Sequence, residues 1–160
     1  MAAVESWREH SLGPCACSQL RRTSRALSAL YDGFLAPASI TVTQYAILVN
    51  IARQPDGVSR TSLAALLGMD RTTLTRNLRP LARTRLVGEK VDPADHRSSV
   101  LRLTRAGYRK LDRAFALWAK VQQDFANSFG PAQLEHLSDL LSSATFAAQT
   151  VRGSGSPDSL

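Results

Sequence analysis

The sequence predicts a mainly α-helical fold, in which short helices and one two-stranded β-hairpin sit between long flanking helices. Three observations predict it. Apolar residues recur at spacings of three and four, the helical period, through most of the 160 residues. Residues that cap or break helices punctuate that pattern. Two short extended runs, 86–91 and 98–103, flank the polar loop Asp92-Pro93-Ala94-Asp95-His96-Arg97, as in a hairpin.

The elements follow in order. Residues 1–12 read as a loose arm. Gly13-Pro14 opens a helix with Pro14 at its first position, and Leu20, Leu27, Leu30, Tyr31 and Phe34 form its apolar stripe, which ends near Pro37. Thr41-Val42-Thr43-Gln44 fits a capping box, with Ile40 and Tyr45 placed as a hydrophobic staple. Tyr45, Leu48, Val49 and Ala52 are the expected buried face of that helix, and Pro55-Asp56-Gly57 ends it. Ser59 caps a short helix with Leu63, Leu66 and Leu67 inward, and Gly68 breaks it. Asp70 caps the next helix, which buries Leu74, Leu78 and Leu81. Pro80 lies inside it and removes one backbone donor, so a bend is expected beyond its first half. Two short helices around a tight glycine-containing turn outline a helix-turn-helix. After the hairpin, Thr104 caps a long helix with Tyr108, Leu111, Phe115, Trp118 and Phe125 on one side. Gly130-Pro131 separates it from a last helix carrying Leu134, Leu137, Leu140 and Leu141. The end, 152–160, has the composition of a mobile tail.

The charge is unevenly placed. The chain carries 20 Lys+Arg against 13 Asp+Glu, a net +7. Residues 70–110 hold 11 of the basic and 4 of the acidic groups, so that quarter carries the whole excess. A localised positive segment marks a polyanion-binding surface, where the plainer reading is a solvated face. The helix after Asp70 presents Arg71, Thr72, Thr75, Arg76 and Arg79 opposite its leucines, with Thr73 also in its first turn. Arginine and threonine there can reach base edges and phosphates in a major groove. Arg97 at the hairpin tip suits a minor groove, and Asp95 is the partner to hold its guanidinium.

Catalysis has little support. His10, His96 and His136 lie on the arm, the hairpin tip and the last helix, away from any nucleophile, and read as surface residues. Phosphate-loop, dinucleotide and zinc-protease motifs are absent, so neither a cofactor nor a metal is expected. No run approaches the roughly 20 apolar residues of a membrane span. The first dozen residues carry Glu5, Arg8 and Glu9 and do not read as a signal peptide. Two cysteines make no disulfide framework, and the expected compartment is the cytoplasm.

Three segments resemble the MarR family of transcriptional regulators: MDRTTLTRNLRPLARTRLV (69–87), DPADHRSSVLRLTRAGYRKL (92–111) and the Thr41-x-x-Gln44-Tyr45 helix start. The resemblance implies a winged helix-turn-helix with a two-stranded β wing, flanked by long helices that form a dimerisation domain. It divides the chain into the arm (1–12), a first dimerisation helix (13–40), the DNA-binding region (41–104), C-terminal dimerisation helices (105–151) and the tail (152–160). It implies a homodimer on a pseudo-palindromic operator in double-stranded DNA, most simply a repressor, with no enzymatic activity and no membrane partner. It assigns DNA contact to Arg71, Thr72, Thr73, Thr75, Arg76, Arg79, Asp95 and Arg97. Two departures stand out. The family ends this helix Leu-Glu-x-x-Gly-Leu, where this chain has Ala82 and Arg85. Its wing commonly reads Asp-Arg-Arg, where this chain has Asp95-His96-Arg97. If the backbone at Arg85 is left-handed, a non-glycine residue there is strained.

Such regulators respond to small, often phenolic or anionic, molecules or to oxidants. Cys15 and Cys17 at a helix start are the redox candidates, because a helix N-terminus favours thiolate; the alternative is packing in an interface. On a helix, residues two apart point about 200° away from each other, which opposes a direct bridge. Tyr31, Tyr45, Phe115 and Trp118 are candidates to line an effector pocket, although aromatics at helical spacing commonly belong to a core. The rival reading from another class is a cysteine-based redox protein that does not bind DNA.

Overall fold

The computed structural model describes residues 15–91 and 99–154. The expected arm, Pro14, the hairpin tip with Asp95, His96 and Arg97, and the chain beyond residue 154 lie outside the described residues. The elements in order are α1 (Ala16–Leu35), a 3-10 turn (Ala36–Ala38), α2 (Val42–Ala52), α3 (Arg60–Leu67), α4 (Arg71–Arg83), β1 (Val87–Val91), β2 (Ser99–Leu103), α5 (Arg105–Phe129) and α6 (Pro131–Ser154). The architecture is mostly helical with one two-stranded antiparallel sheet, as expected. The chain forms two compact units, Met1–Trp118 and Ala119–Leu160.

In the first unit, local chemistry sets the helix starts. Thr41 and Gln44 form the complete capping box on α2. Ser59 accepts from the Ser62 amide to cap α3, and Asp70 accepts from the Thr73 amide to cap α4. Thr104 accepts from the Gly107 amide at the start of α5. One cap comes from further away: the Asp32 carboxylate on α1 accepts from the Val42 amide at 2.6 Å. Gly68 closes α3 with left-handed backbone, φ 61°. α4 runs unbroken through Pro80.

The core of this unit gathers Leu35, Ile47, Leu48, Ile51, Leu63, Leu74, Leu78, Leu81, Leu86 and Leu101, among others. Several expectations need correction. α2 packs against α1, α3, α4 and β2, so Ile47 and Ile51 are buried while Val49 and Ala52 are only half-buried. Leu66 is exposed, and Ala64 takes the inward place beside Leu63. α1 begins at Ala16, with Cys15 extended at the N-cap. Leu35, outside the expected stripe, is the residue of α1 that is fully buried; Leu20 and Leu30 are exposed. Strand register pairs Val87 with Leu103 and Val91 with Ser99.

In the second unit, α5 continues to Phe129, with Phe125 and Phe129 stacked at 5.4 Å and Lys120 paired to Asp124. Gly130 breaks the chain and Pro131 opens α6. That helix runs to Ser154, past the boundary expected at 151. Leu134 and Leu137 are half-buried, while Leu140, Leu141, Phe146 and Val151 are exposed.

Candidate nucleic-acid interface

The site is built on α4. Its N-cap is doubly made: Asp70 accepts from the Thr73 amide at 2.8 Å and from the Thr73 hydroxyl at 2.7 Å. These bonds, the hydroxyl's first, hold the Asp70 carboxyl below its ordinary value. Leu74, Leu78 and Leu81 anchor the opposite face in the core. The exposed face carries Arg71, Thr72, Thr75, Arg76 and Arg79, which together line an open concavity of about 400 Å³.

Five of the six residues read from this helix therefore share one surface. Thr73 does not: it is half-buried and its hydroxyl donates to Asp70. Arg71 Nη2 donates to Thr61 Oγ1 of α3 at 3.4 Å, and Thr75 donates to the Arg71 carbonyl at 2.7 Å. Thr72, Arg76 and Arg79 make no side-chain hydrogen bond among the described residues. Arg76 and Arg79 project as uncommitted guanidinium groups.

The turn after α4 has a Schellman pattern. The Leu86 amide donates to Leu81 and the Arg85 amide to Ala82, both at 2.9 Å. Arg85 takes the position normally held by glycine, and its φ is 55°. The strain anticipated from the family pattern is present.

The hairpin is fastened to the helix-turn-helix at two places that sequence reading missed. Arg60 of α3 makes a bidentate pair with Glu89 of β1, at 3.2 and 2.8 Å, and Ser99 of β2 donates to the same carboxylate. Hydrogen bonds from Arg60, then Ser99, hold the Glu89 carboxyl down to about 2. Arg102 Nη2 donates to the Asp56 carbonyl at 2.6 Å, beside the bridge that pairs Val58 with Leu101. The partners lie 29 and 46 residues apart, so no local pattern could signal them.

Among the effector candidates, Tyr45, Trp118 and Phe115 form a stacked series with centroids 5.6 and 6.0 Å apart. Tyr45 is buried in the core. Tyr31 is half-buried on α1, and burial raises its hydroxyl. Cys15 and Cys17 are exposed free thiols. Cys15 precedes the helix with ψ 111°, so the helical divergence expected between the two does not govern this pair.

A capped helix with an arginine-threonine face, preceded by a short helix and followed by a two-stranded hairpin, defines a winged helix-turn-helix DNA-binding protein. The comparisons with known proteins agree. A model of the MarR family matches residues 38–98. The transcriptional regulator MosR of M. tuberculosis, solved in complex with DNA, is 35% identical, with a TM-score of 0.71 over 84% of this chain and 98% of that one. PcaV of Streptomyces coelicolor, solved with its natural ligand, is 27% identical, with a TM-score of 0.75 over 87% and 97%. The transcriptional repressor CouR on a 23-mer duplex is 25% identical, with a TM-score of 0.73 over 82% and 92%; CouR comes from Rhodococcus jostii RHA1. The chain belongs to the MarR family of DNA-binding transcriptional regulators. No single described helix is long and apolar enough to cross a membrane.

Proposed function

We propose that the chain acts as a homodimer that represses transcription by occupying a pseudo-palindromic operator. The observation that carries this reading is the exposed arc of Arg71, Thr72, Thr75, Arg76 and Arg79 on a helix whose other face is locked in the core. Arg97 and Asp95, assigned to DNA contact by the family resemblance, lie outside the described residues. Dimerisation is supported separately in each unit by apolar side chains left in water: Leu20 and Leu30 on α1, and Leu140, Leu141, Phe146 and Val151 on α6. CouR, a repressor, supports the sign of regulation.

Release comes from a small phenolic or anionic effector or from thiol oxidation. PcaV with its natural ligand and CouR with p-coumaroyl-CoA support the first route. The exposed Cys15 and Cys17 support the second: an organic hydroperoxide transfers one oxygen to a thiol, giving sulfenic acid and an alcohol, and a second thiol displaces water from it to form a disulfide. Titrating an organic hydroperoxide against the DNA-bound protein and its Cys15→Ser/Cys17→Ser double variant separates the routes. Release of wild type alone supports oxidation; equal release of both, or of neither, returns the cysteines to packing.

The primary test is a mobility shift with the chain's own upstream DNA at one fixed salt concentration. Arg76→Ala is expected to weaken specific binding by about 1–3 kcal/mol. Arg97→Ala is expected to weaken it with less sequence preference. Unchanged affinity in both variants would refute the winged-helix binding mode.

A further inference from the structure

The five exposed side chains of α4 are not equally available to DNA. At 100° per residue they span an arc of about 140°, in the order Arg71, Thr75, Arg79, Thr72, Arg76. Thr75 lies inside that arc, a short side chain between two arginines on the wall of the concavity. The proton of its hydroxyl is already committed, because it donates to the Arg71 carbonyl at 2.7 Å within the helix. With no proton left to donate, Thr75 offers a ligand in the concavity an acceptor oxygen and, as its apolar group, its methyl.

Among the four bases, thymine alone presents an apolar group on its major-groove edge, the C5-methyl. We propose that Thr75 is a specificity-determining residue that reads one thymine in each half-site through methyl–methyl contact. This rests on the DNA-binding reading and adds to it a division of labour. Arg76 and Arg79, with their guanidinium groups uncommitted, supply hydrogen bonds and charge. Thr75 supplies an apolar surface that excludes water and penalises the other bases. A threonine donating to a base would first have to break its bond to the Arg71 carbonyl.

The test uses a half-site defined by in vitro selection with the full-length protein. Each thymine in the selected duplex is replaced in turn by deoxyuridine, which deletes the C5-methyl and keeps the hydrogen-bonding edge. Affinities are measured for wild type, Thr75→Ser (methyl removed, hydroxyl kept) and Thr75→Val (methyl kept, hydroxyl removed). Wild type is expected to lose roughly fourfold at one thymine per half-site, the worth of about one buried methyl group. Thr75→Val is expected to show the same loss at the same position, and Thr75→Ser none. The proposal is overturned if no thymine position is sensitive in wild type, if Thr75→Ser keeps the sensitivity, or if Thr75→Val loses it. Arg76→Ala on the same duplex separates the two levels of the argument: if it weakens binding while the uracil series is flat, the DNA-binding reading stands and the Thr75 role falls.

Discussion

Arg85→Gly is expected to stabilise the protein. Arg85 sits at φ 55°, where an L-residue brings its Cβ against backbone oxygen at a cost of about 1–2 kcal/mol. The conformation is held by three hydrogen bonds: the Arg85 and Leu86 amides to Ala82 and Leu81, and the Thr104 hydroxyl to the Arg85 carbonyl at 2.6 Å. All three use the backbone, so glycine preserves them. Glycine also gives the unfolded chain more freedom, which returns about 0.4–1 kcal/mol of the gain. The net expectation is a stabilisation of about 0.5–1 kcal/mol, or roughly 1–4 °C in melting temperature for a chain of this size. Thermal melts of wild type, Arg85→Gly and Arg85→Ala provide the assay. Arg85→Ala removes the same side chain but keeps the strained φ, so it should not gain stability. If alanine stabilises as much as glycine, the effect belongs to the arginine side chain and the strain argument is refuted. If glycine fails to stabilise, the left-handed φ carries no such cost and the strain argument is likewise refuted. DNA affinity measured alongside reports a different property: both variants should lose equally if the guanidinium meets a phosphate.

Other substitutions probe the joints of the fold. Gly107→Ala is expected to destabilise by about 3 kcal/mol through overpacking, because a Cβ there would sit 2.1 Å from the Leu86 carbonyl oxygen; a melting temperature within a degree of wild type would refute the close approach. The Arg60–Glu89 pair predicts an acid-side pH dependence. The folded Glu89 carboxyl is depressed, so its contribution is complete above its ordinary value of 4.5 and is lost as pH falls toward about 2. Both side chains are well exposed, so that contribution is only about 0.5–1 kcal/mol. Urea midpoints of wild type and Glu89→Gln should therefore differ at neutral pH and converge in acid, and a constant gap would refute the pairing.

Features that depend on residues a few positions apart are legible in the amino-acid order. Thr41, Ser59, Asp70 and Thr104 could be read as caps because each satisfies an amide three residues away. The leucines of α4 could be read from their period, and the arginine face followed as their opposite. The family pattern, with glycine at this position, singles out Arg85, and the fold then gives it φ 55°. Contacts between residues distant in sequence emerge only in the folded chain. α2 is contacted on several sides, which buries Ile47 and Ile51 beyond a simple amphipathic stripe. Leu66 projects into water because α3 is short and packs through Leu63 and Ala64. Arg60 meets Glu89, and Arg102 meets Asp56, only once the hairpin folds back on the helix-turn-helix. The division among the threonines is local, three and four residues along one helix, but depends on which rotamer each hydroxyl adopts. Thr73 and Thr75 are the same residue type in one helix, yet one hydroxyl is taken by the Asp70 carboxylate and the other by the Arg71 carbonyl. A sequence shows which donors a chain carries; for Arg60 and Arg102, the acceptor is one that only folding brings within reach.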